Sequence, residues 1–77
     1  MTTVHFPRMS QERPDATGVV ATWYAAEGEQ VGEGQLIGEV QMDKADDELL
    51  APVAGTIHLL VDEGDEVTQG SPIAQIT

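Results

Sequence analysis

A chain of 77 residues makes one small domain, and at this size folding buries only about 60% of the surface the unfolded chain exposes, which leaves no room for a deep catalytic cavity. It contains no cysteine, so disulfides and thiolate zinc sites are excluded, and any thiol chemistry has to arrive with a cofactor. A formal charge of −11, from 14 acidic residues against three basic ones, argues against nucleic acid and anionic membrane as partners and for locally basic proteins.

In chain order, Val4 to Phe6 reads as the first strand. Met9 to Thr17 follows as the one long surface loop, rich in Ser, Gln, Glu, Arg, Pro and Asp. Gly18 opens a second strand, Val19 to Tyr24, which ends in the turn Glu27-Gly28-Glu29. The chain reverses there, and only glycine takes a positive φ without a Cβ penalty. Further strands are read at Leu36 to Gln41, Glu48 to Leu50, Thr56 to Val61 and Ile73 to Ile76, separated by Gly, Pro or acidic turns. No segment keeps helical spacing for about ten residues without a Gly or Pro, so the expected class is all-β. The longest apolar runs, such as Leu59-Leu60-Val61, fall far short of the roughly 20 residues that span a bilayer, and Met1-Thr2-Thr3-Val4-His5 does not resemble a leader. These features and the missing cysteines suit a cytoplasmic monomer.

The strongest organisational signal is an internal repeat. Glu27-Gly28-Glu29-Gln30-Val31 and Gly34 through Val40 align with Glu63-Gly64-Asp65-Glu66-Val67 and Gly70 through Ile76 at an offset of 36 residues. Each copy follows a β-rich run opened by glycine, at Gly18 and at Gly55, and Pro7 and Pro52 stand ahead of those glycines. Two equivalent halves, each too small to fold alone, are expected to pack face to face about a pseudo-twofold axis. The core candidates are Val4, Phe6, Val20, Trp23, Val31, Leu36, Ile37, Val40, Leu49, Ile57, Leu59, Val61, Val67, Ile73 and Ile76.

Lys44 is the single lysine, and it falls at the midpoint of the repeat, between a strand ending near Gln41 and one beginning near Asp47. A hairpin turn there carries a four-carbon stem and its amine away from the core. A surface lysine kept for solubility is the plainer account, but a chain with this much surface uses lysine only once.

The residues Glu39-Val40-Gln41-Met42-Asp43-Lys44-Ala45 resemble the attachment motif of lipoyl domains, in which an Asp-Lys-Ala turn follows a strand rich in valine and glutamate. Gly18 to Trp23, Glu27 to Val31, Gly34-Gln35-Leu36, Pro52 to Gly55 and Gly64 to Gly70 are similar to the rest of that family's pattern, so the resemblance runs from Val4 to Ile76. It implies a flattened barrel or sandwich of two four-stranded antiparallel sheets, a single carrier domain over residues 1–77, and lipoic acid joined as an amide to Lys44. The implied role is a non-catalytic swinging arm in a 2-oxo acid dehydrogenase-type complex. The implied partners are a lipoyl-attaching enzyme, a thiamin-dependent 2-oxo acid decarboxylase, an acyltransferase core and dihydrolipoamide dehydrogenase.

Two features depart from the family pattern. The segment from Pro7 to Gly18 is long, and in the family this loop lies near the modified lysine and helps the decarboxylase recognise its carrier. The stretch from Gly55 to Gly64 is one residue shorter than that from Gly18 to Gly28.

The alternatives are a biotin carrier domain, whose lysine typically sits between two methionines whereas Lys44 has Asp43 and Ala45, and an unmodified binding module on the same scaffold. Catalysis and metal binding find no motif: His5 and His58 fall in strands, Ser10 and Ser71 lack a nucleophile signature, and the acidic runs Asp43 to Glu48 and Asp62 to Glu66 do not follow calcium-loop spacing.

Overall fold

The computed structural model describes residues 1–77 and consists of eight strands. They are β1 (Thr2–His5), β2 (Thr17–Trp23), β3 (Gln30–Val31), β4 (Leu36–Met42), β5 (Ala45–Leu50), β6 (Gly55–Leu59), β7 (Glu66–Thr68) and β8 (Pro72–Ile76). They form two four-stranded sheets, β1-β8-β6-β3 and β5-β4-β2-β7, with every pairing antiparallel. β3 and β7 lie inside what the sequence suggests are turns, because two or three residues are too few to display alternation. β5 begins three residues before Glu48, since an acidic edge strand with four exposed positions in a row carries no apolar signal.

The twofold relation holds down to single hydrogen bonds. Gly28 N–H donates to Ile57 O at 2.8 Å and Gly64 N–H to Val20 O at 3.0 Å; Tyr24 N–H donates to Ile37 O at 2.9 Å and Leu60 N–H to Ile73 O at 3.0 Å. The relation exchanges β1 with β5, β2 with β6, β3 with β7 and β4 with β8. The halves interlock instead of stacking face to face: each sheet draws two strands from either half, so neither half owns a sheet. A short strand leaves its backbone unsatisfied unless a neighbour pairs with it, and here the neighbours of β3 and β7 come from the other half.

The core follows the same symmetry. Val20 and Ile57, Ile37 and Ile73, and Val40 and Ile76 are equivalent pairs that are fully buried between the sheets, joined by Phe6. Trp23, Leu59 and Val61 pack against this core while half-buried; the Trp23 indole reaches the rim, where its Nε1–H donates to Val61 O at 3.0 Å. Leu36 is a correction, being 38% exposed. A register shift between Leu36 and Gly38 turns Ile37 and Gly38 inward and leaves Leu36 outside, opposite Leu50. Ala16, Ala25, Ala51 and Ala74, small residues whose burial a hydropathy pattern does not mark, complete the core together with Met42.

The one-residue difference between the halves is also accounted for. β2 and β4 pair through Val20–Val40 and then Thr22–Glu39, leaving Ala21 as an extra residue in a bulge, whereas β6 and β8 pair without interruption from Ile57–Ile76 to Leu59–Ala74.

Candidate functional site

β4 and β5 pair out to Met42–Ala45, so Asp43 and Lys44 alone form the hairpin loop. Asp43 has φ 54°, the one positive φ among non-glycine residues. Aspartate tolerates this left-handed region better than most residues, which makes it fit for the first position of a two-residue turn. Met42 behind the turn is buried and roots the hairpin in the core, while Asp43, Lys44 and Ala45 are exposed. Lys44 therefore stands at the tip of a paired two-stranded arm. Its ammonium enters neither of the two ion pairs, Arg13–Asp43 and Glu27–His58.

The long loop runs beside this turn. Between β1 and β2 the chain has no regular structure, and Met9, Ser10, Gln11, Glu12 and Arg13 line an open groove of about 620 Å³ together with Met42, Asp43, Lys44 and Ala45. Buried Gln69, only 4% exposed, holds the loop. Its Oε1 accepts from Ser10 N–H at 2.9 Å, and its Nε2 donates to Ser10 O at 2.8 Å, Arg13 O at 3.1 Å and Pro14 O at 3.3 Å. Its backbone N–H donates to Ala16 O at 3.0 Å. At the outer end, Arg13 Nη2 donates to Asp43 Oδ2 at 2.6 Å. Loop and turn are thus tied by side chains that sequence reasoning did not single out. Gln69 occupies the repeat position of exposed Glu33, and what distinguishes the two is the covering loop: ten residues separate Pro7 from Gly18, but only two separate Pro52 from Gly55.

The other motif residues serve the scaffold. Glu27 and Glu63, equivalent in the repeat, each reach across to the other half: Glu27 Oε1 accepts from Leu59 N–H at 2.7 Å and Glu63 Oε2 from Trp23 N–H at 2.7 Å. The Leu59 N–H foremost, and then the His58 side chain, hold the Glu27 carboxyl below its ordinary range. His58 lies in β6 beside Glu27 and His5 in β1 against Gly70 O, both in the sheet that does not carry the Lys44 turn.

A family model described as "Biotin-requiring enzyme", which covers biotin and lipoyl domains, matches residues 2–76. The chain belongs to the biotin/lipoyl attachment family. Its relatives place it on the lipoyl side. It is 38% identical over 76 residues to the dihydrolipoyllysine-residue acetyltransferase component of the pyruvate dehydrogenase complex of Corynebacterium glutamicum, covering 97% of this chain and 11% of that protein. It is 40% identical over 63 residues to the succinyltransferase component of the 2-oxoglutarate dehydrogenase complex of Azotobacter vinelandii, covering 80% of this chain and 16% of that protein. The solution structure of the lipoyl domain of the 2-oxoglutarate dehydrogenase complex from the same organism superposes with a TM-score of 0.81 at 32% identity, covering 100% of this chain and 96% of that one. The chain is a lipoyl domain by this similarity, and it spans only a small fraction of the length of its curated relatives.

Proposed function

We propose that Lys44 is the attachment point of lipoic acid, joined as an amide through Nζ, and that the domain moves acyl groups and electrons between active sites of a 2-oxo acid dehydrogenase-type complex. The observation that carries this reading is the single lysine, unpaired, at the tip of a two-residue hairpin on a scaffold without cysteine. The residues present suit the group. Asp43 supplies the left-handed residue that closes the turn, Met42 anchors it, and the absence of thiols leaves the protein nothing that could trap a dithiol in a mixed disulfide. When bound, the lipoyl group supplies a reducible disulfide that takes up an acyl group and two electrons.

No side chain here is arranged to deprotonate Lys44, so activation of the amine falls to the attaching enzyme. The partners that follow are that enzyme, a thiamin-dependent decarboxylase, an acyltransferase core and dihydrolipoamide dehydrogenase, in a cytoplasmic setting. Co-expression with a lipoyl-attaching enzyme tests the reading by intact mass. One lipoyl addition is expected on the wild type, mapped to Lys44, and none on Lys44→Arg. An unmodified wild type under lipoate-replete conditions, an addition that persists in Lys44→Arg, or biotin in place of lipoate on Lys44 would overturn it.

A further inference from the structure

Lys44 is flanked by carboxylates at Asp43, Asp46 and Asp47, yet its amine enters no ion pair, and the nearest of them in sequence is engaged elsewhere. The guanidinium that engages it belongs to Arg13, one of three basic residues in the chain. Arg13 is held for this purpose from behind. Its N–H donates to Ser10 Oγ at 3.2 Å, its carbonyl accepts from Gln69 Nε2 at 3.1 Å and from Ala16 N–H at 2.9 Å, and Gln69 itself is buried and fully partnered. Because the backbone is fixed on both sides, the side chain loses less freedom on reaching Asp43 than an arginine on a loose loop would.

We propose that Arg13 is a positioning residue for the modification of Lys44: by engaging Asp43 it keeps that carboxylate off the neighbouring amine and holds the turn in the conformation that presents Nζ. This rests on the reading of Lys44 as the attachment point. Amide formation at Nζ makes a nitrogen–carbon bond, breaks the bond between the donor's acyl carbon and its leaving group, and releases a proton from nitrogen, so the amine has to be unprotonated and free. A carboxylate paired with an ammonium holds the proton on it, and a guanidinium already on that carboxylate relieves this. The side chains of Arg13 and Asp43 are 61% and 68% exposed, so the effect has the modest size of exposed pairs.

The test uses a neutral acetylating ester and no enzyme. The chain offers two amines, Lys44 and the Met1 α-amino group, so peptide mapping gives the ratio of acetylation at Lys44 to that at Met1 as an internal standard. At low salt, Arg13→Gln is expected to lower this ratio by about threefold, the scale on which exposed ion pairs act. Arg13→Lys is expected to restore most of it. The double variant Arg13→Gln with Asp43→Asn is expected to return to the wild-type ratio, since asparagine keeps the preference for positive φ but removes the competing charge. Lipoylation kinetics with the attaching enzyme should follow the same order, through kcat more than KM. A wild-type ratio in Arg13→Gln, or a double variant that fails to recover, overturns the proposal. If the wild type is never lipoylated, the functional reading of Lys44 falls instead, and the acetylation ratios still decide the role of Arg13.

Discussion

Gly28 and Gly64 offer a direct test of the two equivalent halves. Their φ angles are 82° and 84°, and a Cβ built at either position meets no atom within 4 Å. A substitution there is therefore opposed by backbone conformation alone. A non-glycine residue in the left-handed region costs roughly 1–2 kcal/mol, and a β-branched one lies toward the upper part of the 1–3 kcal/mol range of local strain. Against this stands roughly 0.4–1 kcal/mol from the smaller entropy of the unfolded chain when glycine is replaced. Gly28→Val and Gly64→Val should each lose about 2 kcal/mol, and the two losses should agree within about 0.5 kcal/mol, the scatter of independent surface sites.

Gly18→Ala is the contrasting case. Its Cβ would stand 2.5 Å from Gln41 O and 2.6 Å from Phe6 Cζ, inside the core, so the cost is steric and should exceed that of either turn variant. Urea denaturation, analysed by linear extrapolation with the slope checked for constancy, gives the three values. A loss below about 0.5 kcal/mol at either turn glycine, or a loss at one without the other, would refute the argument that the turns are conformationally equivalent.

Gln69→Met keeps the length of the side chain but leaves the Ser10 and Pro14 carbonyls without the Gln69 donor and the Ser10 N–H without its acceptor, while the Arg13 carbonyl keeps the Ala16 N–H; a loss of about 2 kcal/mol is expected, with faster amide exchange at Ser10 than at core positions. Glu27, held below its ordinary range by the Leu59 N–H and then by His58, contributes stability that is fully present above the unfolded value of about 4.3 and is lost as pH falls through the lower folded value. Denaturation midpoints of Glu27→Gln should accordingly lie below the wild type at neutral pH and converge with it in acid; parallel curves would count against the cause named. Tyr24, the single tyrosine, is raised by the Glu39 charge first and then by desolvation and its hydrogen bond to Glu39, so Glu39→Gln should move its ultraviolet phenolate transition to lower pH. Lys44→Arg, which makes no buried contact, should leave the denaturation midpoint within about 0.5 kcal/mol of wild type.

Much of this molecule is legible from residue order alone. A 36-residue offset through Glu27-Gly28 and Glu63-Gly64 implies equivalent turns because glycine marks a conformation rather than a contact, and the positive φ angles follow from that. Strands β2, β4, β6 and β8 are visible because they are long enough to alternate, and Lys44 stands out because no other lysine competes with it. β3 and β7 are decided only in three dimensions, since they become strands by pairing with the other half. The same holds for the glutamates beside the turn glycines: nothing local shows that Glu27 caps Leu59 and Glu63 caps Trp23, residues 32 and 40 positions away.

The site divides along the same line. That Lys44 sits on a turn is a local property of Asp43 and the flanking strands. That Arg13, 30 positions earlier, occupies Asp43 depends on where the loop crosses the hairpin, and that in turn depends on Gln69, which is buried because the loop lies over it. Turn chemistry and alternation act between neighbours in the chain and so are written in its order, whereas a side chain that satisfies a distant backbone group is chosen by the packing that brings the two together.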